Sequence, residues 1–286
     1  SSDVCSSDLD AKARKEVKLA LDRLGGPGSN RFWDLYLRRI ANGIIGFSEE
    51  QLSLLKLASQ HLPKQGRITD WTCGSGDLAA SLLLGARERT LMAIDSNPRA
   101  VIAAKRLAKH FFNDGSVSFA AKLGNPLSPQ LSIPVSQGAI VQNGLFLIES
   151  DSVKHAFLKE VGANLLADGT LLLVEPKPWL QKQSVLRLWL TRIIKNAAEA
   201  SSPMTEFEIA LFVEFHRRLY LGAPTRFLDT KEWIELCKVS GFSVQLVREA
   251  FHGHYSVLVL KKVEIPKPPK KSPVIRYHDE PWPKGE

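Results

Sequence analysis

The chain has 286 residues, 44% of them hydrophobic and 24% charged, with a formal net charge of +8. That balance excludes a disordered or fibrous chain and leaves room for one large α/β domain with extensions, or two small ones. No apolar run reaches the ~18 residues of a membrane-spanning helix, and the basic excess favours nucleic acid, an anionic membrane surface or an acidic substrate as partner.

Residues 1–9 contain Ser-Ser-Asp twice and resemble the translation of a sequencing adapter. They are set aside from fold reasoning as an artefact, with the natural N-terminus expected elsewhere. Without their two aspartates the remaining charge is +10, and without Cys5 only Cys73 and Cys237 are left. Two cysteines are too few for a disulfide framework or a cysteine zinc site, so a reducing cytoplasm is the expected setting. Residues 10–47 read as a helical extension. Asp10 to Leu24 is amphipathic, Gly25 to Asn30 breaks it, and a second helix with Phe32, Trp33, Leu35, Tyr36, Leu37 and Ile40 ends near Gly43. The aromatic stripe of the second helix reads as packing, with the covering of a cleft as its alternative.

The main domain is expected over residues 48–262. Ser48-Glu49-Glu50-Gln51 reads as a capping box for a helix running to Leu62. A short strand then ends in Asp70, Cys73-Gly74-Ser75-Gly76 forms a glycine turn, and Leu78 to Leu84 continues as a helix. The next strand, Thr90 to Ile94, ends on Asp95. Glycines let a backbone turn tightly and approach a ligand, and an acid at the second strand end suits a ribose diol. Gly74 to Ala79 also fits the dinucleotide fingerprint G-x-G-x-x-G/A, with Asp95 at the expected interval. Asp70 weighs against that ligand: a carboxylate there suits an ammonium and a sulfonium and repels a pyrophosphate.

Asp70-Trp71-Thr72-Cys73-Gly74-Ser75-Gly76 resembles motif I of the class I S-adenosylmethionine-dependent methyltransferases, and Ile94-Asp95-Ser96-Asn97 resembles their ribose-binding motif. Thr72 stands where many members have a first glycine, although Thr-Cys-Gly-Ser-Gly is familiar from members that methylate nucleic-acid amines. The resemblance implies a Rossmann-like seven-stranded sheet, mostly parallel with a C-terminal antiparallel hairpin. It also implies N-terminal helices and a helical insertion before the last helix. S-adenosyl-L-methionine is the implied cofactor, held by Asp70, Thr72, Cys73, Gly74, Ser75, Gly76, Asp95, Ser96, Asn125 and Asn143. Asn125 stands where members place an Asp or Asn beside adenine; an Asn-Pro turn explains it equally well.

Further along, Asn97-Pro98 starts a helix to Phe112 whose buried face is expected to hold Val101, Ile102, Ala104, Leu107 and Ala108. Strands come next at Ser116 to Ala121 and Gly138 to Val141, then a helix from Ser152 to Leu166, a turn at Ala167 to Thr170, and a strand from Leu171 to Glu175. Residues 179–228 are too long for a plain crossover and read as two helices, Leu180 to Ala200 and Thr205 to Leu221, roofing the cleft. Asp229 to Ser240 is a capped helix, and strands at Phe242 to Val247 and Tyr255 to Leu260 close the domain. The Pro- and Lys-rich residues 263–286 read as an extended tail.

Gln142-Asn143-Gly144-Leu145 replaces the Asn/Asp-Pro-Pro-aromatic segment of nucleic-acid amino-methylating members. Leu165 to Pro178 resembles a segment of ubiquinone- and menaquinone-biosynthesis methyltransferases. The expected acceptor is therefore a small hydrophobic or aromatic molecule, met by the roof aromatics Trp179, Trp189, Phe207, Phe212 and Phe215. RNA is the rival acceptor, and a non-catalytic cofactor-binding scaffold is the rival of another class. Lys182, Arg187 and Arg192 suit an anionic headgroup or membrane surface. His216, His252, His254 and Glu149 are candidate bases without an assigned role, so the catalytic residues stay open. His252-Gly253-His254 lacks a third ligand at metal spacing, so no metal is expected. No signal sets the oligomeric state. Deleting residues 1–9 is expected to leave the thermal midpoint and cofactor affinity unchanged; a loss of several degrees in differential scanning fluorimetry would show that the segment packs.

Overall fold

The computed structural model describes residues 45–74, 76–84, 88–112, 118–123, 133–148, 150–199, 213–214, 216–217, 219–222 and 225–263. The expected N-terminal helices, the tail, Ser75, Asn125, Glu149, Phe207, Phe212 and Phe215 lie outside them. Seven strands form one sheet: β1 (Gly66–Asp70), β2 (Arg89–Asp95), β3 (Ser118–Leu123), β4 (Ser136–Gln142), β5 (Leu165–Pro176), β6 (Phe242–Ala250) and β7 (Tyr255–Lys262). Their order is β3-β2-β1-β4-β5-β7-β6. The five from β3 to β5 run parallel, and β7 is antiparallel to both β5 and β6. This is the mostly parallel sheet with a C-terminal hairpin expected from the sequence.

Parallel strands covered on both faces read as continuous apolar runs. Ala139-Ile140-Val141 of β4 and Leu171 to Val174 of β5 are buried throughout for that reason. Alternation then sorts the side chains by face. Ile68, Ile140, Leu172, Val174, Val257 and Val259 join one core with α1 (Ile45–His61), α2 (Asp77–Leu84) and α5 (Gln183–Glu199). Ala139, Val141, Leu171, Leu173, Leu258 and Leu260 join the other with α4 (Asp151–Ala163) and α6 (Thr230–Val239). Between α2 and α4 in the chain lies α3 (Pro98–Phe111), capped by Asn97, whose side chain accepts from the Arg99 N–H at 2.9 Å. No helix among the described residues is long and apolar enough to cross a membrane.

Several boundaries differ from the sequence reading. The first helix begins at Ile45, so Ser48 lies inside it and is not its cap. A Ser-x-x-Gln spacing does not stop a helix from extending backwards, because serine costs little in a helix interior. In α3, Val101 and Ala104 are buried as expected, but Ile102 is 39% exposed. Ile102 directly succeeds Val101, and a rotation of about 100° per residue carries it away from the buried stripe. The Ala167 to Thr170 turn is a bulge inside a longer β5: Ser136 pairs with Leu165 and Gly138 with Thr170, and Asp168 takes φ 58°. A left-handed aspartate is tolerated there because its short polar side chain suits that region.

α6 carries a full capping box. Asp229 accepts from the Glu232 N–H and Glu232 accepts from the Asp229 N–H, each at 2.8 Å. Asp229→Ala is expected to cost about 1 kcal/mol, read as a lower urea midpoint with an unchanged slope.

Candidate active site

Asp70 and Asp95 end adjacent parallel strands, so both carboxylates face the same edge of the sheet. From Asp70 the chain enters the glycine turn. Gly74 and Gly76 take φ of 53° and 83°, and the Gly76 N–H donates to the Cys73 carbonyl at 2.8 Å. The Cys73 N–H donates to Ile94 O at 3.0 Å, pinning the turn to β2. The two oxygens of Asp95 accept from the Gly74 N–H at 2.9 Å and the Asn97 N–H at 2.8 Å. Asp95 thus joins the turn to the start of α3, and exposed Ser96 lies between them. A Cβ on Gly74 would meet nothing within 4 Å, so the ground above the turn is open.

Asp70 is 3% exposed, and its carboxyl accepts from the Thr72 N–H at 3.3 Å. Burial pushes its pKa up to about 7; the Thr72 amide opposes the rise and the Asp95 charge adds to it. Burial also raises Asp95, against the Asn97, Gly74 and Ser96 amides. Two such carboxyls at an open edge form a field that a cation relieves. Cys73 is 8% exposed and burial pushes its thiol far up, so it packs and is not a nucleophile.

Across the β1–β4 boundary, the Thr72 hydroxyl donates to the Gln142 carbonyl at 2.9 Å and accepts from the Gln142 N–H at 2.8 Å. Asn143 comes next with φ 55°, and its N–H donates to Val174 O at 3.0 Å. Its side-chain Oδ1 is buried with no hydrogen-bond partner. The next three N–H groups, of Gly144, Leu145 and Phe146, all donate to Glu175 at 3.0, 2.9 and 3.0 Å. Glu175 is wholly buried, and that burial raises its pKa to about 7 against the three donors and the Lys154 charge. Sequence reasoning took Glu175 only as the end of a strand. Its signal was available: an acid closing an apolar strand beside a glycine-containing turn has amides to satisfy.

The histidines stand further along the same edge. His216 is buried with its ring 5.6 Å from Trp189 and 5.7 Å from Tyr220. The Trp179 indole N–H donates to His254 Nδ1 at 3.1 Å. An indole only donates, so neutral His254 carries its proton on Nε2 and presents a donor there. Burial, then His252, Lys177 and Arg192, lower its pKa. The buried Lys177 ammonium pairs with Glu249 and lies 4.7 Å over the Trp179 ring. The structure therefore brings Asp70, Thr72, Cys73, Gly74, Gly76, Asp95, Ser96 and Asn143 to one edge. His216 and His254 group instead around Trp189, beside Tyr220 and Tyr255, whose hydroxyls share a hydrogen bond. Among the described residues no group of three or more His, Cys, Asp or Glu is placed to hold a metal ion.

The family model described as the methyltransferase small domain matches residues 50–201. Over 144 residues the chain is 30% identical to ribosomal RNA small subunit methyltransferase C of Shewanella halifaxensis (strain HAW-EB4), a stretch covering 47% of this chain and 39% of that relative. An O-methyltransferase family protein from Burkholderia thailandensis has a similar structure, with TM-score 0.53 and 15% identity, over 82% of this chain and 59% of that one. Human N-acetylserotonin methyltransferase, solved in complex with SAM, has TM-score 0.51 and 13% identity, over 88% and 66% of the two chains. At such identities these two structures share the fold.

Asp70 supplies a pH dependence. Its folded pKa is raised from 3.8 to about 7, so the folded site prefers the protonated carboxyl. The stability this contributes is full below about pH 4 and is lost as pH rises through about 7. Asp70→Asn, neutral throughout, is expected to flatten the decline of the thermal midpoint across that interval in scanning calorimetry. Parallel curves for the variant and the parent would remove Asp70 as its source.

Proposed function

Because the chain belongs to the methyltransferase small domain family, we propose that it is an S-adenosylmethionine-dependent methyltransferase acting on a small hydrophobic or aromatic acceptor. The observation that carries the cofactor assignment is the pair of strand-end carboxyls flanking open ground above Gly74. The residues fit the group: Asp70 suits its ammonium, Asp95 and Ser96 its ribose, and the glycine turn allows close approach. Bound there, S-adenosylmethionine supplies a methyl group activated by its sulfonium. The chain's own part is to bind, orient and exclude water, and proximity supplies much of the rate. Asn143, with its buried and unpartnered Oδ1, is the chain's own group at the end of β4.

The small-acceptor reading rests on Gln142-Asn143-Gly144-Leu145, which stands where nucleic-acid amino-methylating members carry Asn/Asp-Pro-Pro-aromatic. Beside it Phe146, Phe227, Tyr220 and Trp189 pack on one another as buried core. Residues 179–228 serve as the roof of the cleft. The buried free thiols Cys73 and Cys237 suit a reducing cytoplasm. RNA is the second reading, favoured by the ribosomal RNA methyltransferase among the relatives and by the +8 charge.

Two measurements test this. Calorimetry is expected to show S-adenosylmethionine binding more tightly than NAD; the reverse order would overturn the cofactor assignment. With methyl-labelled S-adenosylmethionine, label is expected in a small-metabolite extract and not in ribosomal RNA. Label in RNA would move the acceptor to the second reading, and cofactor binding with no transfer to either would favour a scaffold.

A further inference from the structure

β1 and β4 are paired through Asp70 opposite Ile140, and the Trp71 N–H adds one more bond to Ile140 O at 2.9 Å. Continuing that register places Thr72 opposite Gln142. There the backbone beyond Thr72 turns away, and the Thr72 hydroxyl takes over. It donates to the Gln142 carbonyl and accepts from the Gln142 N–H, at 2.9 and 2.8 Å. One side-chain oxygen thus supplies both halves of a ladder rung that the departing backbone no longer provides. The methyl of the same residue restricts position 144: a Cβ on Gly144 would lie 2.2 Å from Thr72 Cγ2 and 2.9 Å from its Cβ. With its hydroxyl held twice, Thr72 cannot rotate away without leaving both Gln142 groups unpaired.

We infer that Thr72 is a positioning residue that locks the glycine turn to the Asn143–Phe146 loop, and that glycine at position 144 is the counterpart of threonine at 72. The inference rests on the cofactor assignment proposed above, because the two segments it joins are then the cofactor wall and the acceptor wall. A shift of about 1 Å between such walls is enough to lose much of the rate. Thr72 acts through the Gln142 backbone and needs no contact with a reacting atom.

The test uses the full chain, with Thr72→Val, Thr72→Ser, Gly144→Ala and the double variant Thr72→Gly/Gly144→Ala. It reads amide hydrogen exchange over residues 142–146 and calorimetric affinity for S-adenosylmethionine. Thr72→Val removes the rung and is expected to speed exchange in that segment about tenfold while β5 and β7 stay protected. Thr72→Ser keeps the hydroxyl and is expected to restore protection and affinity. Gly144→Ala is expected to lower the thermal midpoint and weaken binding; the double variant should recover the midpoint but not the protection. Unchanged exchange in Thr72→Val, or no recovery in the double variant, would overturn the lock. If the parent binds no S-adenosylmethionine, the functional reading fails and the role in methyl transfer falls with it, while exchange still decides whether the rung exists.

Discussion

At the boundary between β1 and β4 the chain departs in opposite directions: β1 leads to β2 and β3 on one side, and β4 leads to β5 on the other. The carboxyl ends of these two strands are where such a sheet opens a crevice. The layout of the site is a consequence of that constraint. Parallel pairing sends Asp70 and Asp95 to the same edge, and the segments after β1 and β4 are forced to face one another across it.

The two sides of this crevice treat buried charge differently. On the β1–β2 side Asp70 accepts from the Thr72 N–H, and Asp95 joins the Gly74, Ser96 and Asn97 amides across two segments. On the β4–β5 side Glu175 accepts three amides and serves the loop itself. Burial raises both Asp70 and Glu175 to about 7, yet their partners differ. Glu175 is held by three amides of the loop after β4, whereas Asp70 accepts from the Thr72 amide two residues on; a cation brought beside Asp70 would favour its charged form.

Much of this was legible in the sequence. Apolar runs marked the buried strands, and the spacing of Asp70, Gly74, Gly76 and Asp95 placed acid, turn and acid in order. What escaped was cooperation between residues far apart in the chain. Thr72 stands in a family pattern as a substitute for glycine, while its hydroxyl bonds a residue 70 positions later. Glu175 is marked as an acid closing an apolar strand, but that its amide partners lie about 30 positions earlier follows only from the pairing of β4 with β5. Ile102 and Ser48 escaped for a more ordinary reason. Helical phase and helix start are each shifted by a residue or a few, and pattern matching has little resolution at that scale.

The ends of the segment after β5 are fixed more firmly than a loosely attached roof would require. On the outgoing side, the Lys177 N–H donates to His254 O at 2.9 Å, and the Lys177 ammonium pairs with Glu249. Gln181 then bridges to the returning side, donating to Thr225 O at 2.7 Å and accepting from the Phe227 N–H at 3.2 Å. Thr225 in turn donates its hydroxyl to Phe146 O, the carbonyl of the residue whose N–H Glu175 holds. The outgoing end, the returning end and the loop after β4 are therefore one hydrogen-bonded unit. Residues 177–181 and 225–227 could not part from the loop after β4 without breaking this network, so the frame on this side of the crevice is set by the fold itself.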